Sequence, residues 1–140
     1  MKILLAVDGS FYTKRMLAYI AAHDEWLGPR HQYTLLHCVP EVEDYVESAV
    51  GKDVARRFID EAGEAVFTPI RAFFTQQGIE ASCLKAVGRA ADVIAETARS
   101  GKYDLLIMGS HGQGQVAGLV LGSVATKVLA RCSTPVLLIR

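Results

Sequence analysis

An excess of charge of either sign is the first thing this sequence lacks. Fifteen basic and fifteen acidic side chains leave a formal net charge of zero, which excludes the strongly basic footprint of a nucleic-acid binder. No uninterrupted apolar run reaches the length of about eighteen residues needed to span a membrane. The opening segment Met1–Val7 has one charge and a very short apolar run that stops at Asp8. It reads as a first strand and not as a signal peptide. Cysteine is scarce: Cys38, Cys83 and Cys132 are scattered, odd in number and never spaced as CxxC. That pattern points to buried thiols in a reducing cytoplasm and away from zinc or redox chemistry. Linkers, repeats and low-complexity tracts are absent as well.

What is present is enough to fill a core. Apolar residues make up 51% of 140 residues, which suits one ordinary domain and argues against disorder. Five short apolar runs recur, each bounded by turn or polar residues: Lys2–Val7, Tyr33–Val39, Ile79–Val87, Asp104–Met108 and Pro135–Ile139. Such runs suit strands buried on both faces, as in parallel sheets. Between them lie segments with helical spacing. Thr13 to Trp26 places Met16, Leu17, Ile20 and Ala21 on one face. Val54 to Phe74 has Val54, Phe58, Ala62, Ala65, Ile70 and Phe73 at threes and fours, with a kink expected at Pro69. Arg89 to Arg99 and Gly118 to Arg131 complete the set. Alternating strands and helices predict right-handed βαβ units and an α/β fold with a doubly wound parallel sheet. The stretch Pro40 to Lys52, with Glu41, Glu43, Asp44 and Glu47, reads as a solvated loop or a flap over the end of the sheet.

In such sheets ligands bind beyond the carboxyl ends of the strands, where strand order reverses. Three segments are therefore candidates: Asp8-Gly9-Ser10, His37-Cys38-Val39-Pro40, and the glycine-rich segment that opens at Gly109. The third is the most informative. Gly109, Gly112, Gly114, Gly118 and Gly122 cluster between a strand and a helix. Glycines let backbone N–H groups approach an anion closely, and the following helix turns its positive end toward phosphate. From Gly109 to Arg140 there is no Asp or Glu, while Lys127, Arg131 and Arg140 are present. Five glycines exceed what one tight turn requires, so phosphate is the expected guest.

Two familiar phosphate motifs do not fit. Gly109 to Gly114 has the glycine spacing of a P-loop, but Gln115-Val116 stands where Lys-Ser/Thr is required. Gly112-Gln113-Gly114-Gln115-Val116-Ala117 spells GxGxxA, yet it follows the fourth strand and no ribose-binding acid comes after it.

A third pattern does fit. Gly109-x-x-Gly112, nine residues, then Gly122-Ser123 resembles the G-2x-G-9x-G-(S/T) signature of the ATP-binding branch of the universal stress protein family. The surroundings are similar along the whole chain: Ile3-Leu4-Leu5-Ala6-Val7-Asp8-Gly9-Ser10, Gly88-Arg89-Ala90-Ala91-Asp92-Val93-Ile94, Met108-Gly109-Ser110-His111-Gly112, Leu121-Gly122-Ser123-Val124 and Cys132-Ser133-Thr134-Pro135-Val136-Leu137-Leu138-Ile139. The departure is Gln113-Gly114-Gln115, where relatives often carry a basic residue; its loss is expected to weaken phosphate affinity and spare the backbone cradle.

The resemblance implies a five-stranded sheet in the order 3-2-1-4-5 within a Rossmann-like, adenine nucleotide alpha hydrolase-like three-layer sandwich, spanning 1–140 as one domain. It also implies roles. Asp8 accepts from the adenine or ribose region, although an acid after a strand equally suits a helix cap before Thr13. Val39 offers backbone hydrogen bonds to adenine. Met108 and Gly109 line the ribose side, and Gly112, Gly122, Ser123 and Val124 hold the phosphates. The implied ligand is ATP, or ADP or AMP, with magnesium carried by the phosphates.

Three functions follow for comparison. One is a cytoplasmic, homodimeric, nucleotide-binding regulator of the stress response. The second is an enzyme that slowly hydrolyses ATP or transfers its phosphoryl group, with His111 as the candidate base. The third is a scaffold whose pocket stays empty. His23, His31 and His37 show no metal-ligand spacing. The apolar strand Pro135–Ile139 falls at a sheet edge in the implied order, and pairing with its own copy would satisfy its free backbone groups.

Overall fold

A computed structural model describes residues 1–114, 118 and 120–140. The elements in chain order are β1 (Lys2–Ala6), α1 (Phe11–Ala22), α2 (Asp24–Leu27), β2 (Gln32–Val39), α3 (Asp44–Val50), α4 (Lys52–Gln76), β3 (Ala81–Val87), α5 (Ala90–Ser100), β4 (Leu105–Gly109), α6 (Ser123–Arg131) and β5 (Val136–Ile139). All strand pairs are parallel and the sheet order is β3-β2-β1-β4-β5. The expected architecture and order are therefore present.

The central strand shows why the sheet needs helices on both faces. Successive side chains of a strand point to opposite sides. Ile3 and Leu5 join Met16 and Ile20 of α1 and Phe67, Ile70 and Phe74 of α4 in one core. Leu4 joins Ala91, Ile94 and Ala98 of α5 and Ala125 and Val128 of α6 in the other. All three β1 side chains are fully buried. The chain thus leaves β1 for one face and β4 for the other, and order reverses between these two neighbours.

Several expected boundaries move. The helix expected over Thr13 to Trp26 starts two residues earlier and breaks at His23, whose backbone leaves the helical region at φ −128° and ψ 44°. The His23 ring donates from Nδ1 to the Tyr19 carbonyl at 2.8 Å. The apolar face expected on the long helix is rotated. Val54 and Phe58 lie exposed, and Ala55, Gly63, Phe67, Ile70 and Phe74 face the sheet. Apolar residues sit on two sides of this helix, so spacing alone does not choose between them. Pro69 does not interrupt α4, because Pro69 and the Ala65 carbonyl it deprives of a donor both lie on the exposed side, where water serves. The segment Pro40 to Lys52 is not wholly loop: α3 occupies Asp44–Val50. The last helix begins at Ser123, not Gly118, which lies in a turn with φ 89°. Of the glycine-rich segment, Gln115, Val116, Ala117 and Leu119 fall outside the described residues.

A candidate nucleotide-binding cleft at the switch point

The reversal of order between β1 and β4 opens a cleft of about 350 Å³, within the range of small-molecule sites. Ala6, Leu36, Ile94, Met108 and Ala125 give it an apolar floor, and Asp8, Ser10, Thr13, His111, Gln113 and Ser123 give it a polar rim. β1 reaches it through a short, tightly bonded loop. The Ser10 N–H and the Thr13 hydroxyl donate to Asp8 Oδ1 at 2.9 and 3.0 Å, and the Asp8 N–H donates to Thr13 Oγ1 at 3.2 Å. Gly9 takes φ 74° in this turn, a conformation that favours glycine. Asp8 therefore does serve the start of α1, yet only with one oxygen. Its Oδ2 lies 3.0 Å from where a Cβ on Gly112 would stand.

β4 reaches the cleft through backbone. A Cβ on Gly109 would come within 2.5 Å of Tyr12 Cβ, so glycine is required there for helix α1 to pack. The Gly122 N–H donates to the Ser110 carbonyl at 2.7 Å, and a Cβ on Gly122 would stand 3.1 Å from Ser110 O and His111 Cα. Gly109 and Gly122 thus have packing reasons of their own, and the Gly122 N–H is already engaged. Among the described residues, donors are also offered by the first turn of α6, which has no side-chain cap; helix starts leave their leading N–H groups without intrahelical partners.

The start of α1 is similar. Ser10 occupies its N-cap position, yet its hydroxyl makes no capping bond. Ser10 is 7% exposed, and its Oγ is the one buried side-chain polar atom without a partner among the described residues. Buried hydroxyls are ordinarily bonded. Ser10 lies in the wall of the cleft, with its hydroxyl shielded from solvent. Two uncapped helix starts, each with its partial positive charge, converge on one space.

Other lining groups are fixed or neutral. His37 donates from Nδ1 to the Val7 carbonyl at 2.8 Å, which fixes the orientation of its ring. Ser110 Oγ and His111 Nδ1 are 3.0 Å apart. Burial pushes the Cys38 thiol up to about 11, so it stays protonated at neutral pH. Among the described residues, no lysine or arginine lines the cleft. Arg131 is paired with Asp92, which also receives Arg89 Nε at 3.0 Å.

Seven of the eight residues expected at the site, Asp8, Met108, Gly109, Gly112, Gly122, Ser123 and Val124, line this one cleft. Val39 does not: it is buried beyond Cys38, and its carbonyl accepts from the Gly88 N–H at 3.0 Å. Sequence reasoning assigned no role to Ser10, Tyr12, Thr13, His37 or Gln113, all in the lining. Ser10 was legible as the end of the Asp8-Gly9-Ser10 turn. The reach of Gln113 Nε2 to the Asp8 carbonyl at 2.8 Å joins residues distant in the chain and had no local signal.

The model of the universal stress protein family matches residues 1–140. The chain belongs to the universal stress protein family. It is 36% identical over 138 residues to a universal stress protein of Thermus aquaticus from the QAH/OAS sulfhydrylase 3′ region, covering 99% of this chain and 97% of that one. Among solved structures it resembles the hypothetical protein MJ0577, at TM-score 0.83 and 25% identity, over 99% of this chain and 94% of the other. A family member from Arabidopsis thaliana with AMP bound superimposes at TM-score 0.70 and 17% identity, over 99% of this chain and 90% of that one. No described helix is long and apolar enough to cross a membrane.

Proposed function

We propose that the chain binds an adenine nucleotide in this cleft and works as a regulatory module of the stress response in the cytoplasm. The observation that carries the reading is the convergence of two helix starts without side-chain caps on one cleft at the switch point. The Arabidopsis protein with AMP shares the fold, and at its level of identity the likeness extends no further. The support for a nucleotide here comes from this chain's own residues.

The apolar floor, with Met108 and Ala6, suits the base and ribose. Asp8 Oδ2 is placed to accept from a ribose hydroxyl or the adenine amino group. Gly112 leaves room for the phosphate chain, Gly122 shapes the turn, and Ser123 and Val124 present the N–H groups of α6. Val39 contributes only through its neighbours Cys38 and His37. ATP, ADP and AMP share these contacts, and magnesium would enter with the phosphates. Gentle purification, denaturation and mass spectrometry of the released small molecules tests the reading. A retained adenine nucleotide supports it, and a folded protein that neither retains nor binds one by calorimetry overturns it.

Hydrolysis is the second reading, and His111 is its candidate base. The described lining offers no lysine or arginine to neutralise charge developing on a transferred phosphoryl group. ATP turnover is therefore expected below about 0.01 per second, under the usual enzyme range. Faster phosphate release that disappears in His111→Ala would favour the enzyme.

The same reading includes a homodimer through β5. This strand pairs with β4 on one side only. Leu137 packs toward the α1 and α4 core, Val136 and Leu138 toward the α5 and α6 core, and all three remain half-buried. A two-fold strand pairing would cover this edge. Light scattering is expected to give twice the monomer mass, and Leu138→Pro to return it to monomer.

A further inference from the structure

We infer that β3 forms a second, weaker self-interface, pairing antiparallel with β3 of another copy about a two-fold axis through Leu84. This surface is the sheet edge opposite β5. It depends on neither the nucleotide reading nor the β5 dimer.

β3 pairs with β2 alone, so its other side is open. Proteins ordinarily blunt such an edge with short length, proline, a bulge or a charge. β3 has seven residues, no proline, and a register with β2 that runs unbroken from Ala81 to Val87. Its single charge is Lys85, and that charge is folded away. The Lys85 stem runs over Gly63 of α4, where a Cβ would stand 2.7 Å from Lys85 Cδ. Its ammonium pairs with Asp60. Gly63 and Asp60 together draw the lysine off the edge that it would otherwise guard.

Backbone alternation fixes how a partner strand can pair. The Gly88 N–H donates to the Val39 carbonyl at 3.0 Å, so Gly88 points toward β2. Backbone groups alternate between the two neighbours of a strand. Ser82, Leu84 and Ala86 therefore turn toward β2 as well, and Ala81, Cys83, Lys85 and Val87 turn N–H and C=O toward the open edge. These four positions are symmetric about Leu84, the middle residue of β3. A two-fold copy centred there pairs Ala81 with Val87 and Cys83 with Lys85, in both directions, and leaves no outward group unused.

The side chains agree on both faces. On the α5 face Leu36 of β2 is buried, while its β3 neighbour Leu84 is 39% exposed. On the axis Leu84 meets its own copy. On the α4 face Arg71 donates to Cys83 Sγ at 3.6 Å and to Glu64 at 2.6 Å. Pairing sets this Arg71–Glu64 pair beside the Lys85–Asp60 pair of the other copy, so two neutral pairs meet and no like charges are forced together. The two Lys85 residues become diagonal neighbours at about 7–8 Å, which is where their withdrawal to Asp60 matters. The reciprocal order of charge and the symmetric hydrogen-bonding positions commit the occupant to a second copy.

The first test is disulfide trapping of the whole chain by oxidised glutathione in a Cys83→Ser background. Leu84 and its copy form a non-hydrogen-bonded pair with Cα atoms about 4.5 Å apart, within disulfide reach. Leu84→Cys is expected to cross-link to a dimer at least about tenfold faster than Ser82→Cys, another exposed position, whose copy lies four residues away along the strand. Equal rates would mean random collision and overturn the inference. The second test is analytical ultracentrifugation. One strand edge with its flanks falls below the standard interface of about 1,200–2,000 Å², so a Kd near or above about 100 µM is expected. Leu138→Pro should be monomeric at low micromolar concentration and dimerise above that Kd. Adding Leu84→Glu, which sets two carboxylates on the axis, should keep it monomeric. Asp60→Asn, which releases Lys85 into the edge, should weaken the pair several-fold. A Leu138→Pro protein that is monomeric at every concentration overturns the β3 pair and leaves the β5 dimer standing, and a dimer indifferent to Leu84→Glu also overturns the β3 pair. A parent protein that is monomeric at low micromolar concentration, yet is trapped through Leu84→Cys, supports the β3 pair and overturns the β5 dimer alone.

Discussion

Two segments face each other across the switch point, and they are built on opposite plans. The β1–α1 turn, residues 7–10, is short and acts through side chains: Asp8 ties Ser10 and Thr13 together and leaves one carboxylate oxygen facing the cleft. The β4–α6 segment, residues 110–122, is long, uncharged and glycine-rich, and among its described residues Gly112 and Gly122 bring backbone close to Asp8 and Ser110. In the first, losing a side-chain atom is what matters. In the second, gaining a Cβ is what matters. A cleft made this way has fixed side-chain recognition on one wall and close main-chain approach on the other.

The strongest way to break the comparison is at Gly109. A valine there would drive its Cβ into Tyr12, and overpacking of this kind costs about 1–3 kcal/mol. Gly109→Val is expected at the top of that range in urea unfolding. The control is Gly114→Ala, where nothing lies within 4 Å of the added Cβ; it is expected to shift stability by less than about 0.5 kcal/mol. Equal effects at the two glycines would show that backbone approach is not what the segment is built on.

Asp8 tests the opposite wall. Asp8→Ala removes an acceptor that serves two donors. Hydrogen bonds to a charged group are worth about 1.5–3 kcal/mol when buried, and solvent access at this half-buried residue lowers that. A loss of about 1–2 kcal/mol is expected, mostly recovered in Asp8→Asn. Urea unfolding with an alanine variant as stable as the parent would mean that the backbone alone sets the turn.

These two walls also explain what the sequence made legible. The sheet order and the alternation of elements follow from five apolar runs and helical spacing, and the glycine signature marks one wall. Residues at strand ends, such as Asp8, Met108 and Gly112, do line the cleft, and their position was legible because it is local. Val39 lies outside the cleft lining, and strand-end position does not say whether a carbonyl already accepts a bond, here from Gly88. The rotated face of α4 misled because Phe58, an apolar residue, stands 64% exposed. The bridge made by Gln113 was not legible because its partner, the Asp8 carbonyl, is brought near only by the fold. The glycines themselves were read as phosphate ligands when Gly109 and Gly122 also answer to Tyr12 and Ser110.

A finer test is Ser10, where a small change in stability is expected and its sign is informative. An unpartnered buried hydroxyl gains nothing from the fold and has given up its bonds to water. Removing it in Ser10→Ala should leave the nucleotide-free protein as stable as before, or more stable by up to about 1 kcal/mol. The same substitution removes a group that would bond the ligand, so adenine nucleotide affinity should fall about five- to tenfold, close to 1 kcal/mol. Stability and affinity thus move in opposite directions at one residue. Capping would produce the contrary pattern, because losing an N-cap serine costs about 1 kcal/mol of the folded state itself. Thermal unfolding with and without nucleotide separates the two. A variant that is less stable without ligand and undiminished in binding would return Ser10 to the role of helix cap and take the Ser10 hydroxyl out of the binding site.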